Sequence, residues 1–110
     1  MSASRPAVFV DLDDTLVRSA GTKRIPMTSM LELVRSLHER GAVLFLWSRG
    51  GSGYARTVAE ELKVADCFQA FLPKPQILLD DAEVGQWGMT KLHPSQCQGM
   101  SADEVLGLAS

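Results

Sequence analysis

Two stretches of this chain repeat apolar residues at the three- and four-residue spacing of an amphipathic helix. The residues at that spacing are Met30, Leu33, Val34 and Leu37 in the first stretch and Ala55, Val58, Ala59 and Leu62 in the second. Ser29 with Glu32 predicts a capping box at the start of the first helix, and Gly41 predicts its end. A second capping box, at Ser101 and Glu104, predicts a short C-terminal helix.

Short, continuous apolar runs lie between and after these helices and predict strands. They occupy residues 8–10, 42–47, 68–72 and 77–79, and a weaker run at 89–92 predicts a fifth strand. Strands that alternate with helices are typical of a parallel sheet, and continuous apolar strands are typical of burial on both sides. The pattern therefore predicts an α/β fold with a mainly parallel sheet and helices on both faces.

Composition narrows the class of protein but says little about partners. The chain has 110 residues, enough for one domain, which we place at 1–110, and its formal net charge is −2. Without a basic excess, nucleic-acid binding is not indicated. No apolar run approaches the ~20 residues that span a membrane, and residues 1–6 lack the apolar stretch of a signal peptide. Since Cys67 and Cys97 form no metal or disulfide pattern, we expect a cytoplasmic protein.

Polar side chains follow three of the predicted strands. Asp11 and Asp13 follow the first strand, Ser48 ends the second, and Asp80 and Asp81 follow the fourth. In sheets of this kind, ligands bind beyond the carboxyl ends of the strands. Carboxylates that converge there repel one another unless a cation lies between them, and a few carboxylates with water molecules suit Mg²⁺. The sequence therefore predicts a magnesium site at this edge.

The stretch Val-Phe-Val-Asp-Leu-Asp-Asp-Thr-Leu-Val at 8–17 resembles the first motif of the haloacid dehalogenase superfamily, an apolar strand followed by DxDxT and an apolar pair. The other signatures follow in the family's order, as Ser48 after an apolar strand, Lys74, and Leu-Leu-Asp-Asp at 78–81. The resemblance covers residues 7–81, most of the chain. It implies a single Rossmannoid domain of this superfamily.

The resemblance implies a phosphomonoester hydrolase that works through an aspartyl phosphate. Asp11 would be the nucleophile, and Asp13 would protonate the leaving oxygen and then deprotonate the attacking water. Members that displace halide lack the second aspartate, so Asp13 favours phosphoryl transfer. A phosphotransferase is one alternative, and a non-catalytic domain that binds Mg²⁺ or a partner at its acidic edge is another.

The resemblance also implies sites for Mg²⁺ and for phosphate. The metal would be held by Asp11, the backbone carbonyl of Asp13 and Asp80, with Asp81 as a direct or a supporting ligand. The side chains assigned to phosphate are Thr15, Ser48, Arg49 and Lys74. Two of these assignments have alternatives, since Ser48 could instead cap the next helix and Arg49 could be an ordinary exposed arginine.

Lys74 is difficult to place because only residues 75–79 separate it from Asp80. A fully extended stretch of that length would put Lys74 roughly 20 Å below Asp80, at the wrong end of the sheet. Either residues 68–72 are not a full parallel strand, or Lys74 passes over the carboxyl edge and the fourth strand is very short. If Lys74 does not reach phosphate, Arg49 is the substitute cation.

Most of the superfamily carries a cap domain in one of two segments of the chain, and neither segment is long enough to hold one here. About ten residues separate Val17 from Ser29, and about eleven separate Leu62 from Lys74. We therefore expect a capless, open site. Such a site suits phosphorylated substrates that are too large to enclose, and closure by a second copy of the chain is the alternative.

Overall fold

A computed structural model of the protein describes residues 5–109. Residues 1–4 and 110 lie outside the described residues. The expectation that residues 1–6 are not a signal peptide therefore falls mostly outside the described part of the chain. The strands are β1 (Ala7–Asp11), β2 (Val17–Ala20), β3 (Lys23–Pro26), β4 (Val43–Ser48) and β5 (Phe68–Pro73). The helices are α1 (Thr28–Glu39), α2 (Ser52–Glu61), α3 (Pro94–Cys97) and α4 (Ala102–Leu106), with 3₁₀ turns at Ala65–Cys67 and Val84–Gln86.

The main sheet is parallel and has three strands in the order β1-β4-β5. Asp11 at the end of β1 lies beside Trp47, and Ser48 at the end of β4 lies beside Pro73. The expected α/β architecture with a parallel sheet is confirmed at this level. Both crossovers step in the same direction across the sheet, and right-handed crossovers of that kind place α1 and α2 on one face.

The core lies between that face and the helices. All four helices contribute side chains to one cluster, which also contains the inward-facing residues of the strands. These inward-facing residues are Val10, Leu44 and Leu46, each no more than 7% exposed. The expectation of helices on both faces is thus not met within residues 5–109, where the helices cover one face.

The opposite face of the sheet is aromatic and partly open. Phe9 is 47% exposed, and its ring lies 4.9 Å from that of Phe45 and 4.8 Å from that of Trp47. Trp47 is half-buried among these rings rather than in the core beneath the helices. Since side chains alternate along a strand, Asp11 shares this face with Phe9.

The helical spacing predicted both long helices correctly. Of the two predicted capping boxes, the one at Ser29 and Glu32 does not form. α1 begins at Thr28 with Met27 as its N-cap, so Ser29 is already inside the first turn and does not cap it. Gly41 follows the end of α1 with a φ of 90°, as expected of a glycine that stops a helix. The capping box of Ser101 and Glu104 is confirmed, with bonds of 3.1 and 2.9 Å.

The strands predicted at residues 77–79 and 89–92 do not form. Ile77 is 82% exposed and Leu79 is 93% exposed. The chain reaches Lys74 at the carboxyl edge of the sheet, and a further parallel strand would have to start at the opposite edge. Residues 75–79 are too few to run back to the opposite edge and then form a strand.

No helix among the described residues is long and apolar enough to cross a membrane.

The antiparallel hairpin of β2 and β3 was not predicted. It occupies the segment between β1 and α1, with Val17 beside Pro26 and Ala20 beside Lys23. All of its residues except Val17 are exposed, so it carries almost no apolar signal. Neither this hairpin nor the segment from α2 to Lys74 contains a cap domain.

The one-sided helical layer predicts unequal costs for truncating side chains on the two faces. Leu46→Ala should lower the free energy of unfolding by roughly 2–5 kcal/mol, since Leu46 is fully buried. Phe9→Ala should cost less than about 2 kcal/mol, because water already reaches much of the ring. Urea unfolding of both variants measures the difference. Equal losses would show that a second layer covers Phe9 in solution.

Candidate functional site

The loop that follows β1 is fixed at its two ends by fully buried leucines. Leu12 and Leu16 are each 0% exposed, and the Leu12 carbonyl accepts hydrogen bonds from the amides of Leu16 and Val17 at 2.9 and 3.3 Å. Asp14 adopts a φ of 63°, a left-handed conformation that Asp tolerates better than most residues. Because the leucines point inward, Asp13 and Asp14 are presented to solvent.

Thr15 belongs to the same turn, and its amide donates to the Leu12 carbonyl at 3.2 Å. Its side chain is half-buried. Thr15 therefore contributes to the shape of the loop through its backbone, and its assignment to phosphate stays a prediction.

Asp11 and Lys74 meet at the carboxyl edge of the sheet. The Nζ atom of Lys74 lies 3.8 Å from Oδ1 of Asp11, and both side chains are about one-third exposed. The Lys74 amide donates to the Ser48 carbonyl at 2.9 Å, which holds the backbone at this edge. Lys74 also stands between two prolines, Pro73 and Pro75. Of the two alternatives for this region, the structure shows a full parallel strand β5 with Lys74 passing over the edge, but the very short fourth strand of that alternative does not form among residues 5–109.

Ser48 organises the turn between β4 and α2. Its side chain is buried, and Oγ accepts a hydrogen bond from the Gly50 amide at 3.0 Å. The N-cap of α2 is Gly51, which means that Ser48 is not the helix cap considered above. Contact between Ser48 and a phosphoryl oxygen would require its hydroxyl hydrogen to face the solvent side of this turn. Arg49 is exposed beside it.

Tyr54 is a site residue that the sequence did not indicate. Its hydroxyl donates a hydrogen bond of 3.0 Å to Oδ1 of Asp13. Burial raises the pKa of the Tyr54 phenol, and the hydrogen bond to Asp13 raises it further, so the hydroxyl keeps its proton at neutral pH. The available signal was positional, because Tyr54 lies in the first turn of the helix that starts at the carboxyl edge.

Asp80 and Asp81 are exposed and do not join Asp11 and Asp13 in a metal site. Oδ1 of Asp80 instead accepts a hydrogen bond from the amide of Ala82 at 2.9 Å. Among the described residues, no group of three or more Asp, Glu, His or Cys side chains is arranged to hold a metal. The expected set of Asp11, Asp13, Asp80 and Asp81 is therefore not assembled. The reason is the missing fourth strand, which would have placed Asp80 at this edge.

The smaller donor set of Asp11 and Asp13 still fits the chemistry of Mg²⁺. This cation keeps several water molecules and is commonly held by one or two carboxylates together with substrate phosphate. Asp11 is only partly exposed and Asp13 is open to solvent, so both are accessible to a hydrated ion.

His93 and the two cysteines lie outside this edge. His93 caps α3, because its Nδ1 accepts a hydrogen bond from the Ser95 amide at 3.1 Å. Cys67 and Cys97 are free thiols, and burial raises the pKa of each.

Comparisons with protein-family models, curated proteins and solved structures found no match for this chain.

Proposed function

We propose that this protein is a Mg²⁺-dependent phosphomonoester hydrolase of the haloacid dehalogenase type, with an aspartyl-phosphate intermediate on Asp11. The observation that carries the proposal is the contact between Asp11 and Lys74, at 3.8 Å, beside the DxDxT loop. A carboxylate at the end of a parallel strand, with a cation beside it and a second carboxylate two residues later, is suited to attack an anionic phosphate.

The reaction begins at Asp11. A carboxylate oxygen of Asp11 donates an electron pair to phosphorus, and the bond from phosphorus to the leaving oxygen breaks. The ammonium of Lys74 reduces the repulsion between the anionic nucleophile and the anionic substrate. Asp13, in its protonated form, gives its proton to the leaving oxygen, which departs as an alcohol.

The second half of the reaction returns the enzyme to its starting state. The Asp13 carboxylate takes a proton from a water molecule as the water oxygen attacks the phosphorus of the aspartyl phosphate. The acyl phosphate bond breaks, inorganic phosphate leaves, and the Asp11 carboxylate and the protonated Asp13 are restored. Asp13 is exposed beside the edge, where both a leaving group and a water molecule have access to it.

The residues that would hold Mg²⁺ are Asp11, through its carboxylate, and Asp13, through its backbone carbonyl. When bound, the ion supplies positive charge that offsets the negative charge of the phosphoryl group. Asp80 and Asp81 would add to this set only if residues 75–81 left the position they occupy here.

The site is proposed to act on substrates that it does not enclose. The hairpin of β2 and β3 is the segment that follows the DxDxT loop, and it is too small to form a closed chamber. A large substrate can gain binding energy from the surface around the edge, which a small metabolite cannot. A phosphorylated polymer or conjugate is therefore the favoured class of substrate.

Asp11→Asn should reduce turnover of p-nitrophenyl phosphate in Mg²⁺ by at least about 10³-fold, because an amide cannot form the acyl phosphate. Asp14→Asn is the matched control, since it removes a neighbouring exposed carboxylate and Asn tolerates the same φ. Steady-state kinetics of both variants provide the measurement. Activity of Asp11→Asn within tenfold of the parent would exclude the covalent mechanism, and an inactive parent would favour the non-catalytic alternative.

Asp13→Asn should lower kcat on an alkyl phosphate by a factor on the order of 10²–10⁴, the usual contribution of general acid catalysis. The loss should be smaller on p-nitrophenyl phosphate, because p-nitrophenolate leaves without a proton. The ratio of the two losses is the measurement. Equal losses on both substrates would contradict the role of Asp13 as the acid.

Lys74→Ala and Arg49→Ala should have unequal effects on kcat/KM. Lys74 contacts the nucleophile, so its loss should cost about 1.5–3 kcal/mol of transition-state stabilisation, on the scale of a charged hydrogen bond. Arg49 is exposed and should cost less. A larger loss for Arg49→Ala would show that the arginine is the phosphate-binding cation.

A further inference from the structure

Tyr54 is held in place by two contacts with its ring. One contact is with the backbone of the preceding turn, because a Cβ atom added at Gly50 would lie only 2.6 Å from Cδ2 of Tyr54 and 3.1 Å from its Cγ. A side chain of any size at residue 50 would therefore displace the ring. The glycine allows Tyr54 to lie against the turn that Ser48 organises.

The second contact comes from the hairpin. The guanidinium of Arg24, in β3, lies 5.8 Å from the centre of the Tyr54 ring, within the range of a cation–π interaction. Arg24 is itself held by Glu61, with Nη2 at 3.0 Å from Oε1. Tyr54 and Glu61 belong to the same helix, two turns apart, so Arg24 attaches the hairpin to α2 across the ring.

These contacts direct the Tyr54 hydroxyl toward Asp13. The hydroxyl donates to Oδ1 at 3.0 Å, which leaves Oδ2 as the oxygen that can carry a proton. Asp13 is exposed on a loop, where an unrestrained carboxylate would sample several rotamers. A single hydrogen bond from a fixed ring selects among those rotamers.

We propose that Tyr54 is a positioning residue, which holds one carboxylate oxygen of Asp13 so that the other exchanges protons with the leaving group and with water. The inference rests on the proposed function, since it assigns a partner to the acid of that reaction. Catalytic groups must be held close to their reactive geometry, and small displacements are costly in rate. Tyr54 acts through Asp13 and does not contact the substrate.

The test is Tyr54→Phe, which removes the hydroxyl and keeps the ring over Gly50. With an alkyl phosphate, kcat should fall by a factor on the order of ten, whereas with p-nitrophenyl phosphate it should fall less than about threefold. Gly50→Ala, which displaces the ring without altering the hydroxyl, should give the same dependence on the leaving group. Urea unfolding of both variants controls for a loss of fold.

The double variant Asp13→Asn/Tyr54→Phe measures how far the effect of Tyr54 on kcat depends on Asp13. If Tyr54 acts only through Asp13, adding Tyr54→Phe to Asp13→Asn should change kcat less than about twofold. Equal losses by Tyr54→Phe on the two substrates, or a full further loss in the double variant, would overturn the proposal while the hydrolase function stands. A parent protein without phosphatase activity would overturn the function and this inference together.

Discussion

The positions of Asp13 and Thr15, and of the hydrogen bond that Asp13 accepts from Tyr54, depend on how the chain turns immediately after β1. The carbonyl oxygen of Leu12 accepts amides from three successive residues, and the side chains of Leu12 and Leu16 are fully buried on either side of the turn. Moving Asp13 would require breaking these bonds or exposing a leucine. The backbone of Asp13 is thus fixed by the turn. Only the rotamer of its side chain is left for the hydrogen bond from the Tyr54 hydroxyl to restrict.

The sheet has unequal faces, and the site lies at their common edge. The helix-covered face contributes Ser48 and the buried core, and the aromatic face contributes Asp11, in line with Phe9. Asp11 is therefore reached from the open side, where Lys74 crosses the edge. The packed core therefore lies on one side of this edge, and the solvent-exposed face of the sheet lies on the other.

The sequence predicted those parts of the fold in which burial follows a regular period. The helical faces of α1 and α2, the parallel sheet and the arrival of Asp11 and Ser48 at its carboxyl edge follow from that rule. Lys74 did not, because the length of β5 and its register against β4 decide where this lysine lies. The hairpin did not, because β2 and β3 are short and exposed and so lack an apolar pattern. Tyr54 was missed because its contact with Asp13 joins residues 41 positions apart.

The strand predicted at residues 77–79 is an instructive error. An apolar run of three residues has the composition of a buried strand whether or not the chain can bring it to the sheet. The deciding fact is the place of Lys74, which depends on the length of β5 and on the register of its pairing with β4. Asp80 and Asp81 lost their expected position for the same reason, although the residue types are those of a metal site.

The two prolines around Lys74 have a consequence for entropy. Pro73 has a fixed φ and no amide to extend the ladder, and Pro75 confines Lys74 to extended backbone conformations. The unfolded chain therefore already samples few backbone conformations at residues 73–75, so ordering this segment on folding removes less freedom than ordering a glycine-rich loop would. Lys74 thus reaches Asp11 on a segment whose stiffness is encoded locally, and only its side-chain rotamers have to be restricted for this contact to form.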